Sequence, residues 1–557
     1  MKKVNKLLML SLSLMSTLIV SCNNNDLSQS SNNTTNTTTN TQTTTTSNGD
    51  VGYDDDFSYY LETKINDKKE LKVFRNFQVG ESKALNKNEL VIATAIQGFF
   101  SRENGKYYYQ FESNDTWLND LKENYGFTFS DTSLEEMLKD FKNNFTNKYV
   151  LYDANNKQLN VARSIAGIKN YIPVDVSLES LVKSFGFELG IDARGMSEED
   201  CFETYKNEFN NTALIQQNPE TTQEFLTDYG IAGKFFFFWP DNGVDDLEFR
   251  SKVHTWAKKD SPIFGWVPVD EPTDINVCST MGQFMIASDW ARNMSVFAAK
   301  SSFGELRFNN PIKDDESIVA QDGKHYVTIM MSDGDNIQTW YNTFPMSEKY
   351  LAAERGDFKM GWSINPSLSD LGRNIMNYVY DNRDENDFYV CSVSGQGYMN
   401  PRVYPQEALE SFVNGLSTYL RKTDLSVVQI LDGGPDKDVI EQYAKIPELN
   451  GGIYCYGDKY AGGRGSVYWA NDKPFVAFRE SLWDADTSVV ANRINNYSTD
   501  VSNIEAYTAI NLHPWSMEYK DVVDLVNKLD EHVEIVTADE FIRLIRDNVE
   551  HKDIVLI

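Results

Sequence analysis

Tyr326–Gln338 reads YVTIMMSDGDNIQ. Tyr326 to Met331 form an unbroken run of apolar and β-branched residues, the length and make-up of a strand buried on both faces. The run stops at Ser332-Asp333-Gly334-Asp335-Asn336, a group of turn formers that also carries two carboxylates. The same sentence of apolar run and polar ending recurs at Lys359–Ile364, Phe388–Val393, Val427–Leu431, Gly452–Tyr456, Pro474–Phe478, Tyr507–Leu512 and Val533–Val536. Helical spacing fills the intervals at Gln406–Arg421, Val439–Ile446, Thr487–Tyr497 and Met517–Leu529, and Asp539–Arg546 follows the last strand. Strands alternating with helices are parallel. About eight such units in about 240 residues fit a (β/α) barrel, complete or distorted, better than an open sheet.

Upstream of this region, residues 57–310 read as a mixed α/β N-terminal domain. Glu89–Arg102 has the spacing of an amphipathic helix, and Ser177–Leu189 is also helical by its apolar positions. Lys106–Phe111, Lys148–Asp153, Gly233–Pro240 and Pro262–Pro272 contain strands. The fold class is therefore α/β, with the barrel-like domain over 311–557. The 557 residues exceed what one ordinary core holds.

The first 22 residues read as a leader. MKKVNK is basic, LLMLSLSLMSTLIV is apolar but short for a spanning helix, and Ile19-Val20-Ser21-Cys22 has the order of a lipobox. This resembles a bacterial lipoprotein signal with acylation of Cys22, which predicts export and a lipid anchor at a membrane. Residues 23–56 are mostly Asn, Thr, Ser and Gln, which can bury no core, so they read as a disordered tether. The net charge of −30 disfavours nucleic acid as a partner. Cys201, Cys278, Cys391 and Cys455 lack metal-ligand spacing and read as buried free thiols; a Cys391–Cys455 bridge is the alternative.

The ends of the strand-like runs hold the polar chemistry. Asp333 and Asp335 follow the first, Asp432 the fourth, Arg479-Glu480 and Trp483 the sixth, and His513-Pro514-Trp515 the seventh. In a parallel barrel these ends share one face, where sites form. Cys391–Pro401, CSVSGQGYMNP, runs from a strand into Gly395 and Gly397, which would let the backbone approach a ligand, with Tyr398 projecting into a cleft.

GQGYMNP resembles the signature of the GxGYxYP putative glycoside hydrolases, a family of exported bacterial proteins. Tyr326–Gln338, Phe264–Pro272, Ser288–Ala298, Asn511–Ser516 and Val91–Tyr109 are similar to other blocks of that family, so the likeness spans roughly 60–557. Asn400 stands where the signature has its second tyrosine. The resemblance implies an oligo- or polysaccharide substrate and no organic cofactor.

Glycoside hydrolysis needs two carboxyl groups across the scissile bond. Asp333 and Glu480 are the expected pair, with Asp335 or Asp432 orienting, and Glu271 in Asp270-Glu271-Pro272 completing the cleft if the N-terminal domain covers the barrel mouth. Arg479 would keep Glu480 ionised. Tyr398, His513, Trp515, Trp483 and Trp266 are expected at the substrate. Asp333 and Asp335 also offer oxygen ligands for calcium or another divalent ion, without EF-hand spacing. A zinc deacetylase is disfavoured, because the five histidines form no ligand pair. The competing class is a surface glycan-binding lipoprotein that has lost its chemistry.

Overall fold

The computed structural model describes residues 57–80, 82–240, 244–268, 270–307, 310, 318–342, 344–552 and 554–555. The leader, Cys22 and the 23–56 tether lie outside the described residues, as does the boundary near 311.

The N-terminal region is three small parallel sheets in succession. The first contains Glu70–Arg75 between Tyr107–Gln110 and Thr128–Asp131. The second contains Lys148–Tyr152 between Ile172–Asp175 and Glu188–Asp192. The third orders Gln283–Ala287, Ser261–Gly265, Leu214–Gln216 and Phe236–Phe238. Helix Lys87–Phe100 starts at a capping box of Asn86 with Glu89. It is buried from Glu89 to Phe100, so the expected amphipathic helix is a central one. The expected helix over 177–189 shrinks to Glu179–Ser184, because Gly186 turns with φ 79° and the chain enters the strand Glu188–Asp192.

In the C-terminal region the strands are β1 (His325–Met331), β2 (Met360–Ile364), β3 (Asp387–Cys391), β4 (Val427–Leu431), β5 (Gly451–Cys455), β6 (Val467–Ala470), β7 (Lys473–Ala477), β8 (Glu480–Leu482), β9 (Tyr507–Leu512), β10 (Val533–Ile535) and a short β11 (Ile554–Val555). From β1 to β5 each pairs parallel with the next, and β9 pairs parallel with β1. Closure comes from one stretch of chain. β7 pairs with β5 and β8 pairs with β9. Only Phe478 and Arg479 separate them; the Phe478 amide donates to Tyr454 O and the Arg479 amide to Ala509 O. The chain thus leaves one neighbour for the other at a break in the wall, which makes a distorted barrel.

β10 is not a full stave. It pairs with the amino half of β1, while β2 meets β1 only at Met330–Gly361, so β10 occupies the amino end of the same edge. β6 was not legible in the sequence pattern. It forms a hairpin with β7 through Asn471 and Asp472, both at positive φ, as a two-residue primed turn requires.

Alternate strand residues enter two separate apolar clusters. Val327, Ile329, Trp362, Ile430 and Ile510 join the helices Gln406–Thr423, Lys437–Ala444 and Thr487–Asn495. Tyr326, Met330, Val390, Ile453, Val476 and Ala509 form the other, the barrel interior. This double burial explains why the strands read as unbroken apolar runs. Helix Ala538–Asn548 closes the amino end: Asp539 accepts hydrogen bonds from Ser426 and Asn450, and Glu540 pairs with Lys359, three residues that each immediately precede a strand. The opposite end is left for a site. All four described cysteines, Cys201, Cys278, Cys391 and Cys455, are buried free thiols.

Candidate active site

At the carboxyl end of β1, Asp333 takes a left-handed conformation, φ 65°, and Gly334 follows it against β2. A Cβ at Gly334 would lie 1.9 Å from Ser363 O, so only glycine fits this close approach. The turn leaves Asp333 half-buried and Asp335 buried. A left-handed aspartate costs about 1 kcal/mol, strain of the kind that collects at functional sites.

The loop after β3 does something other than approach a ligand. Tyr398 exchanges backbone hydrogen bonds of 2.8 Å with Met285, in the last strand of the third N-terminal sheet. A Cβ on Gly397 would lie 2.2 Å from Phe284 Cδ2, and one on Gly395 would lie 3.0 Å from Phe412 and Leu416. The glycines let protein pack on protein, which corrects their expected role against substrate. The Asn400 amide donates to Ser279 Oγ at 2.8 Å, and Tyr398 Oη donates to Glu271 Oε1 at 2.9 Å. The loop therefore docks on helix Glu271–Thr280, which Asp270 caps by accepting the Thr273 amide and in which Pro272 occupies the first turn. Glu271 enters the rim of the barrel by this route.

Three carboxyl groups meet there. Burial is the first cause that pushes each of them above the usual carboxylate range. For Glu271 the charge of Asp333 adds to burial, and the Tyr398 hydrogen bond opposes it. For Asp333 a hydrogen bond from Ser332 Oγ, the His513 ring and a hydrogen bond from Trp515 all favour the ionised form. Asp335 is pushed well up by burial and by the charges of Asp333 and Glu271. None of the three makes an ion pair among the described residues.

His513 follows β9. Its ring is stacked on Trp483 with centroids 3.6 Å apart and planes 4° from parallel, and Nδ1 faces Ser516 Oγ at 2.8 Å. Burial lowers its pKa, against the pull of Asp333 and Asp484. Trp515 stands 48% exposed at the edge. Tyr460, in the loop after β5, sits at φ 66° with its ring edge-on to Trp483. Its hydroxyl is pushed up by burial and then by Asp333, Glu271 and Asp335, so it belongs to the cluster. Sequence reasoning missed Tyr460 and Ser332; the run of Gly457, Gly462 and Gly463 around Tyr460 was the available signal.

Other expected residues lie elsewhere. Glu480 is in register with Ile510 and faces the helices. It is buried and held by Arg493 through Nε at 2.9 Å and Nη2 at 2.5 Å, and by Tyr497 Oη at 2.5 Å. This corrects its expected place in the pair. Arg479 lies 3.6 Å over the Tyr497 ring and donates to Glu505 O, so Arg493 is the cation that serves Glu480. Asp432 accepts the Arg402 and Gly433 amides, and burial raises it to about 6. It orders its own loop and has no described contact with the cluster. The Trp266 amide donates to Gln216 O and the Gln216 side-chain Nε2 donates to Trp266 O, and the Trp266 ring packs partly buried against the interior cluster. Among the described residues, no three His, Cys, Asp or Glu side chains are arranged to hold a metal ion.

The acid-lined rim lies at the carboxyl ends of the parallel strands, the end at which (β/α) barrels place their sites. Family models agree along the chain. Residues 323–546 match the GxGYxYP putative glycoside hydrolase C-terminal domain, and 76–143, 146–209 and 211–299 match the first, second and third domains of the family's N-terminal part; the second and third each span one small sheet, and the first begins just after the strand Glu70–Arg75. This chain belongs to the GxGYxYP putative glycoside hydrolase family. A crystal structure of a putative hydrolase from Bacteroides thetaiotaomicron superposes with a TM-score of 0.79 at 25% identity, covering 90% of this chain and 99% of that one. No curated protein matches the chain.

Proposed function

We propose that the protein hydrolyses glycosidic bonds with Glu271 as proton donor and Asp333 as nucleophile or general base. The observation that carries this is the electrostatic coupling of Glu271, Asp333 and Asp335 on one rim, free of ion pairs among the described residues. A working pair needs environments that push the two groups apart. Asp333 has three partners that favour its charge, Ser332, Trp515 and His513. Glu271 has one, Tyr398, and is opposed by Asp333, so Glu271 keeps the proton. Burial, and then the charges of Asp333 and Glu271, favour the neutral form of Asp335, which would keep a second negative charge out of the site. Trp515 and Trp483 supply flat faces for sugar rings.

The substrate on this reading is an extracellular oligo- or polysaccharide. The leader fits it by placing the enzyme outside the cytoplasm on an acylated Cys22; Cys22→Ser would then move the protein from the membrane fraction to the soluble one. The decisive experiment is reducing-sugar release across a glycan panel by the wild type, Asp333→Asn and Glu271→Gln. Both variants should lose about 10²–10⁴-fold in kcat/KM. Glu271→Gln should recover on aryl glycosides whose leaving groups need no proton. Full turnover by both variants would overturn the assignment.

The alternative, a glycan-binding protein without chemistry, would leave the rim carboxylates consumed by cations, as Glu480 is by Arg493. The free state of Glu271, Asp333 and Asp335 favours the enzyme.

A further inference from the structure

A pocket of about 630 Å³ opens beside the wall break, along β8 and the loop after β5. Lys459, Arg464, Arg479 and Arg493 line it, against the carboxylates of Asp458 and Glu480. The chain as a whole has 82 acidic and 52 basic side chains, so this local balance runs against the rest of the molecule. Glu480 is already consumed by Arg493 and Tyr497. Arg493 nonetheless remains 46% exposed. Lys459 Nζ and Arg479 Nη1 donate to backbone carbonyls, of Trp483 and Glu505, and so meet no countercharge there. The Arg464 side chain is exposed and makes no ion pair or hydrogen bond among the described residues; only its backbone amide is engaged, donating to Ala461 O. Uncompensated cations in a concave site concentrate anions, and guanidinium groups match planar or tetrahedral oxyanions.

The pocket adjoins the carboxylate cluster. Lys459 lines the pocket, and the next residue, Tyr460, belongs to the cluster. The carbonyl of Trp483 accepts Lys459, and its ring stacks on His513, which couples to Asp333. A glycan held at Asp333 and Glu271 would reach the cations with a neighbouring sugar unit.

We infer that the substrate is an acidic glycan, and that this pocket binds the oxyanion of a unit next to the reacting one, either the carboxylate of a uronic acid or a sulfate ester. The inference rests on the glycosidase reading for the place of the reacting bond.

The test is affinity electrophoresis of the full chain through gels containing polygalacturonate, alginate, hyaluronan, chondroitin sulfate or a sulfated galactan, each beside its carboxyl-reduced or desulfated counterpart. At least one acidic glycan should bind at least tenfold tighter than its neutral counterpart. Arg464→Glu should abolish that preference, and Lys139→Glu, on the exposed face of helix Leu134–Asn144 in the N-terminal region, should keep it. Retention by the uronates alone assigns a carboxylate, and by the sulfated members alone a sulfate. Equal binding of acidic and neutral members, retention by none, or an unchanged preference in Arg464→Glu overturns the inference. Because the readout is binding, it holds apart from catalysis: acidic retention without hydrolysis sinks only the glycosidase, and hydrolysis of neutral glycans without retention sinks only the acidic substrate.

Discussion

Tyr398 donates a 2.9 Å hydrogen bond to Glu271, which stands 127 residues earlier in the chain. One residue belongs to the loop after β3 and the other to a helix of the third N-terminal sheet, so the site is shared between two parts of the molecule.

Removing that hydrogen bond should raise the pKa of Glu271, because the bond favours the carboxylate. In Tyr398→Phe the alkaline limb of the kcat/KM profile, where the acid loses its proton, should move to higher pH. The fold should lose about 1–2 kcal/mol by thermal denaturation. An unmoved limb would remove Glu271 from the acid role.

Glu480→Gln should act on stability rather than chemistry. It breaks a clasp of Arg493 and Tyr497 on a buried carboxylate, and a cost of about 2 kcal/mol is expected. The kcat/KM of the folded fraction should stay within a few fold of the wild type. A loss comparable to that of Asp333→Asn would restore Glu480 to the reaction.

Asp335 should make stability fall with rising pH. Its folded pKa is raised, so its contribution is full below the unfolded value, about 3.9, and is lost as pH rises toward the folded value. Asp335→Asn should therefore raise Tm at pH 8 and change it little at pH 4. Scanning calorimetry at the two pH values checks the sign.

Gly397→Ala would force a Cβ to within 2.2 Å of Phe284. Overpacking of this kind costs about 1–3 kcal/mol. The change should also pull the signature loop from Met285 and disturb Glu271, so activity should fall more than the loss of folded protein explains. Normal activity in the folded fraction would show that the loop's docking is not what sets Glu271.

Much of the barrel was legible because a strand buried on both faces must be apolar along its whole length. The runs ending at Met331, Ile364 and Leu431 announce themselves in this way. Asp333 and Asp335 were legible too, since a turn that closes such a strand carries them directly. Tyr460 was not, because its membership depends on a left-handed turn between glycines that no periodicity reports.

The sequence by itself determined most of the alternation of strands and helices in the C-terminal region, the parallel arrangement of its main strands and the end of the barrel at which polar groups gather. These follow from local periodicity, which each segment carries alone. The tertiary structure decided three further things: closure at Phe478–Arg479, the outward turn of Glu480 and the arrival of Glu271. The face that a residue takes at the end of a strand is set by the register of its neighbour, and a shift of one position exchanges inside for outside. Contact between Tyr398 and Glu271 likewise depends on how separate sheets pack, and no short stretch of chain contains that information.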